Sequence, residues 1–85
     1  MSKISKLIER LKSRPKDFTY DELIKVLQHF GYEEFTKGKT AGSRRAFVRG
    51  VTKHIIRLHK PHPSNILKMY SIDYVIDELK QQGLL

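Results

Sequence analysis

Apolar residues in the first eleven positions recur with the spacing of one helical face: Ile4, Leu7, Ile8 and Leu11 follow the i, i+3, i+4, i+7 rule. The spacing predicts a helix over about residues 3–13, with Ser2 or Ser5 near its start. Pro15 stops it, because the ring removes a backbone donor and biases Arg14 away from helical angles. Thr19-Tyr20-Asp21-Glu22 then has the pattern of a capping box, in which a hydroxyl accepts from the Glu22 amide and the Glu22 side chain reaches back. Leu23, Val26, Leu27 and Phe30 carry the apolar stripe onward, and Gly31 is the expected left-handed terminator. Beyond Gly31 the period changes. Residues 32–36, 44–49 and 53–59 are short runs rich in β-branched and aromatic side chains between Gly, Lys and Thr clusters, which predicts three strands in an antiparallel meander. The connections are Gly38 to Ser43 and the tighter Gly50 to Thr52. Pro61 and Pro63 end the third strand, since neither can donate to a ladder. Ser64 is placed to cap a short turn carrying Ile66, Leu67 and Met69. Ser71 is placed to cap a final helix with Ile72, Val75, Ile76 and Leu79 on one face, closed by Gly83. The order helix, helix, three strands, then one or two helices predicts an α+β fold with helices on one face of a small antiparallel sheet.

Composition narrows what such a fold can do. With 85 residues, 39% of them hydrophobic, one domain over residues 1–85 with a modest core is expected, and a deep substrate cavity is not. The sequence has no cysteine, which excludes a disulfide framework, cysteine catalysis and thiolate metal sites. No apolar run is long enough to cross a bilayer or to act as a secretory signal, so a cytoplasmic location is expected. The formal charge is +8, and it is concentrated. Between Phe35 and Ile72 lie Lys37, Lys39, Arg44, Arg45, Arg49, Lys53, Arg57, Lys60 and Lys68, with no acidic residue, while the rest of the chain is close to neutral. Folding gains nothing from this self-repulsion, so a polyanionic partner, nucleic acid or an acidic protein, is implied.

The loop Gly38-Lys39-Thr40-Ala41-Gly42-Ser43 contains the Gly-Lys-Thr of a phosphate-binding loop. However, Glu33 stands where the first glycine should be, and a strand rather than a helix follows, so nucleotide hydrolysis is not indicated. Of the four histidines, His29 borders the apolar stripe of the second helix. His59 and His62 flank Pro61 without a carboxylate nearby in sequence, a weak metal signal. Alternation along the third strand puts His54, Ile56 and Leu58 on one face and Ile55, Arg57 and His59 on the other. Ile56 and Leu58 belong in the core, so His59 and Arg57 face outward inside the basic segment. An imidazole beside fixed cations suits cleavage of an RNA phosphodiester, which needs a base for the 2′-hydroxyl and positive charge for the developing dianion. His59 is therefore the first candidate acid–base residue and His54 the second. Lys37, Lys39, Arg44, Arg45, Arg49, Arg57 and Lys60 are candidates for phosphate contacts on a basic strand face.

From Tyr20 to Leu85 the chain resembles the HicA family of bacterial messenger-RNA interferase toxins. The resemblance is carried by the helix ending in Phe30-Gly31-Tyr32, the loop into Gly42-Ser43 before a strand, the strand ending in Leu58-His59, and a final helix ending in Gly83-Leu84-Leu85. It implies a fold similar to a double-stranded-RNA-binding domain for residues 19–85, with residues 1–18 as an N-terminal helical addition. It also implies a type II toxin–antitoxin pair, messenger RNA as substrate, a HicB-like antitoxin as partner, and metal-independent endonuclease activity without a cofactor. One position departs from the pattern. In the family the catalytic histidine directly follows the Gly-Ser or Gly-Gly pair, and here Arg44 occupies that place. A guanidinium stays protonated at neutral pH and cannot act as a general base, although it can clamp a phosphate. Either proton transfer has moved to another histidine, or this chain is a non-catalytic module that binds RNA or its antitoxin. A third reading is a structural subunit whose basic surface docks an acidic protein.

Overall fold

Helix α1 (Lys3–Lys12) stops where the proline requires it, and Arg14 turns the chain with a positive φ of 56°. This is the computed structural model of the chain, which describes residues 3–35, 44–61 and 63–85. Helix α2 (Tyr20–His29) opens on the expected capping box: the Glu22 amide donates to Thr19 Oγ1 at 3.2 Å, and the Thr19 amide donates to Glu22 Oε1 at 2.9 Å. Gly31 leaves the helix at φ 92°, a conformation that costs other residues about 1–2 kcal/mol.

Strands β1 (Tyr32–Glu34), β2 (Arg44–Arg49) and β3 (Ile55–His59) pair antiparallel in the order β1-β2-β3, the predicted meander. The third strand starts two residues later than the periodicity suggests. Lys53 takes a φ of 63° and its amide donates back to the Arg49 carbonyl at 2.7 Å, so it closes the turn instead of extending the ladder. Helix α3 (Met69–Gln81) differs at its other boundary. It begins two residues before Ser71, with Lys68 as its N-cap and no side-chain capping bond, so Ser71 lies inside the first turn. The displacement has a tertiary cause. Residues 65–67 are drawn against the start of α2 by an isolated bridge between Thr19 and Ile66 and by the Tyr20 and Leu67 amides, which donate to the Asn65 and Phe18 carbonyls. Ser64 keeps the local role predicted for it, its hydroxyl accepting from the Ile66 amide at 2.9 Å. Gly83, at φ 73°, ends α3 with the Leu84 amide returned to the Leu79 carbonyl.

One core joins these elements. Leu11 of α1 and Phe18 of the linker are completely buried beside Leu23, Val26 and Leu27 of α2. The sheet contributes Tyr32, Phe47, Ile56 and Leu58, and α3 contributes Ile72, Val75, Ile76 and Leu79. All these sheet residues lie on one face, which the helices cover. An exposed clasp adds to this packing, as Arg14 Nε and Nη2 donate to the two oxygens of Asp73 at 2.6 and 2.9 Å. That pairing lowers the Asp73 carboxyl below its usual range and raises the guanidinium.

Tyr20, 3% exposed, buries a hydroxyl that has no hydrogen-bond partner among the described residues. Burial, then the neighbouring Glu34, push its ionisation up to about 12 from 10.0, against the opposing effect of Arg45. Between these two values the unfolded chain loses the phenolic proton and the folded chain keeps it. Stability is therefore full below pH 10 and falls as pH rises toward 12. The loss for a two-unit shift is on the order of 2–3 kcal/mol. Tyr20→Phe is expected to leave stability at neutral pH unchanged or raise it by about 1 kcal/mol, and to flatten the alkaline decline. Urea unfolding of both proteins across the alkaline range checks this; an equally steep decline in the variant would show that Tyr20 is not its source.

Candidate nucleic-acid interface

An antiparallel ladder puts directly opposed residues on the same face. Arg44 opposes His59, Ala46 opposes Arg57, and Val48 opposes both Ile55 and Glu33. These side chains form the sheet face that the helices leave uncovered. Arg44, Arg57 and His59 are exposed at one end of it, and Glu33 lies at the other. The sequence places Arg44 and His59 fifteen positions apart; the register brings them side by side.

The same alternation divides the basic residues that the sequence reading put on one face. Arg45 opposes buried Leu58, and Arg49 opposes buried Tyr32, so both lie on the helix side of the sheet. Each is engaged there. Arg45 Nε is 3.1 Å from a Glu34 oxygen, and Arg49 Nε donates to the Phe30 carbonyl at 2.7 Å. The ammonium of Lys60 sits 5.7 Å from the centre of the Tyr20 ring, a cation–π contact. Lys37, Lys39, the Gly42-Ser43 pair and His62 lie outside the described residues.

His54 is held on the helix side. The Tyr32 hydroxyl, its ionisation raised by burial, pairs with His54 Nδ1 at 2.6 Å. The Glu78 carboxylate accepts from His54 Nε2 at 2.9 Å. With both ring nitrogens committed, His54 braces the sheet against α3, and His59 is the imidazole of the open face. None of these partners is near His54 in sequence, so the brace had no local signal.

At the end of β3 the chain borders a cleft of about 340 Å³, lined by His59, Lys60, Lys68, Tyr70 and Ser71 among others, with no carboxylate among its described lining residues. Among the described residues no three of His, Asp and Glu converge as metal ligands would. No described helix is long and apolar enough to cross a membrane.

The geometry is that of a small α+β protein with one bare, cationic sheet face. Residues 20–84 match the HicA toxin family of bacterial toxin–antitoxin systems, and the chain belongs to that family. No curated protein and no solved structure matches the chain. Helix α1 lies outside the matched segment, yet it contributes Leu11 to the core.

His54→Ala would strand a phenol and a carboxylate that are largely buried, and is expected to cost about 2–3 kcal/mol of stability. Arg49→Ala should cost about 1 kcal/mol through the Phe30 carbonyl. Arg44→Ala and Arg57→Ala, both on the open face, should shift stability by no more than about 0.5 kcal/mol. Denaturant midpoints of the four variants test the division; equal effects at Arg44 and Arg49 would contradict it.

Proposed function

We propose that this toxin binds messenger RNA on the open sheet face and cleaves it without a metal ion, with His59 as general base. The observation that carries the reading is the pairing of His59 with Arg44 across two strands of an uncovered, cationic surface. Resemblance puts arginine where relatives have histidine, and the register puts an imidazole one strand away from that position. Neutral His59 takes the proton of a 2′-hydroxyl, whose oxygen then attacks the adjacent phosphorus. The bond from phosphorus to the 5′-oxygen breaks, leaving a 2′,3′-cyclic phosphate, and the departing oxygen takes a proton from solvent. Arg44 and Arg57 neutralise the charge that builds on the non-bridging oxygens. A second reading, RNA or antitoxin binding without cleavage, is favoured by Arg44 itself, since a guanidinium has no lone pair to offer.

The two readings separate in purified protein. His59→Ala should reduce cleavage by about 100-fold or more. RNA affinity should change by no more than about twofold, because the cationic face remains. Arg44→Ala should weaken both. Affinity should fall with salt, each neutralised phosphate contributing a log–log slope of about −0.7 on single strands. Wild-type protein that binds RNA and cuts none would establish the second reading, and unchanged cleavage in His59→Ala would remove the assigned base.

The family works in pairs, and we propose that the partner is a HicB-like antitoxin whose acidic segment covers the same face. Co-expression with the neighbouring gene product should give a complex that no longer binds RNA. A complex that still binds RNA with full affinity would separate the two surfaces.

A further inference from the structure

The strand β3 lies at the edge of the sheet, and the ladder decides which of its residues face outward. The Arg49 amide donates to the His54 carbonyl, so residues 54, 56 and 58 direct their backbone groups toward β2 and residues 55, 57 and 59 direct theirs away from it. Helix α3 meets that edge through two tyrosines. The Arg57 amide donates to the Tyr74 hydroxyl oxygen at 3.3 Å. One turn earlier in the helix, Tyr70 lines the cleft together with His59 and Lys60.

Neither tyrosine belongs to the core. Ile72, Val75, Ile76 and Leu79 form the buried stripe of α3, whereas Tyr70 is 66% exposed and Tyr74 38%. Four positions apart, the two share one face of the helix. A helical turn advances about 5.4 Å and two strand residues about 6.6 Å, so the tyrosines keep step with Arg57 and His59. The carboxylate between them in sequence, Asp73, is neutralised by Arg14, which donates to both of its oxygens. Asp77, the next residue along the face, ends the aromatic row with a negative charge.

Each unit of this arrangement has two parts, an Arg or His side chain on the open face and a ring at the sheet edge beside it. A nucleotide has the same two parts, a phosphate and a base. Rings next to cations suit unpaired bases, because every base has a face to stack while the cations hold the backbone. The bond from Arg57 fixes Tyr74 before any ligand arrives, which lowers the cost of ordering it.

We propose that Tyr70 and Tyr74 form a stacking platform for two successive unpaired bases of the RNA strand whose phosphates lie on the open sheet face. The platform rests on the RNA reading above and deepens it by restricting the substrate. Bases inside a duplex are covered on both faces by their neighbours and cannot turn onto the rings, so the nucleotides at Arg57 and His59 are single-stranded.

The test uses a short oligoribonucleotide, methylated on its 2′-hydroxyls to prevent cleavage and carrying a fluorescent purine analogue whose emission is quenched on stacking. Wild-type protein is expected to quench it, and to bind it about tenfold or more tightly than the duplex of the same sequence. Tyr70→Ala and Tyr74→Ala should each weaken binding by about tenfold and reduce the quench. Tyr70→Phe and Tyr74→Phe keep the ring faces and should remain within about twofold of wild type. The salt slope should be the same in all four variants, since none changes a charge. Salt-dependent binding that neither alanine substitution weakens would overturn the platform and leave the RNA reading standing, and so would equal affinity for the duplex. Alanine variants that bind RNA normally but no longer co-purify with the antitoxin would assign the rings to a protein contact and likewise overturn it. Wild-type protein that binds no RNA at low salt would remove the RNA reading and the platform with it.

Discussion

A three-stranded sheet in a chain of this size can bury only one of its faces, and the placement of its exposed residues depends on that constraint. The helices supply enough apolar surface to cover Tyr32, Phe47, Ile56 and Leu58. They leave the other side uncovered. Strict alternation then sends every second residue of β2 and β3 to solvent, so the residue types at those positions carry no core requirement. That Arg44, Arg57 and His59 occupy them is what gives the bare face its chemical character.

Much of this was legible in the chain because the signals are local. The capping box at Thr19 and Glu22, the glycines that end α2 and α3, and the alternation of β3 depend on neighbours within a few residues. Alternation also separates adjacent Arg44 and Arg45, and a basic segment treated as one patch overlooks it. The start of α3 was not legible. Serine before an apolar stripe is a sound capping signal, but the bridge of Ile66 to Thr19 advances the helix by two residues and consigns Ser71 to its interior. The bonds of His54 to Tyr32 and Glu78 are equally remote in sequence. The pairing of Arg44 with His59 needed a register that the turn through Lys53 decides.

The family match and the physical core do not have the same boundary. Matching begins at Tyr20, whereas Leu11 and Phe18 are as deeply buried as any residue in the protein. Arg10 reinforces the junction, its guanidinium 2.9 Å from Asp17 and 5.4 Å from the centre of the Phe18 ring. Helix α1 is thus packed against the matched segment through its own apolar stripe, and Arg14 clasps Asp73 from the far side of the linker.

The bridge between Thr19 and Ile66 closes a loop that contains α2 and the entire sheet. Loop closure is favourable only when the enclosed chain is already ordered, since the entropy of a long flexible loop opposes the contact. The cleft wall therefore shares its cooperativity with the sheet: a fluctuation that unzips β2 from β3 also releases residues 65–67. A partly folded copy emerging during synthesis would lack that wall.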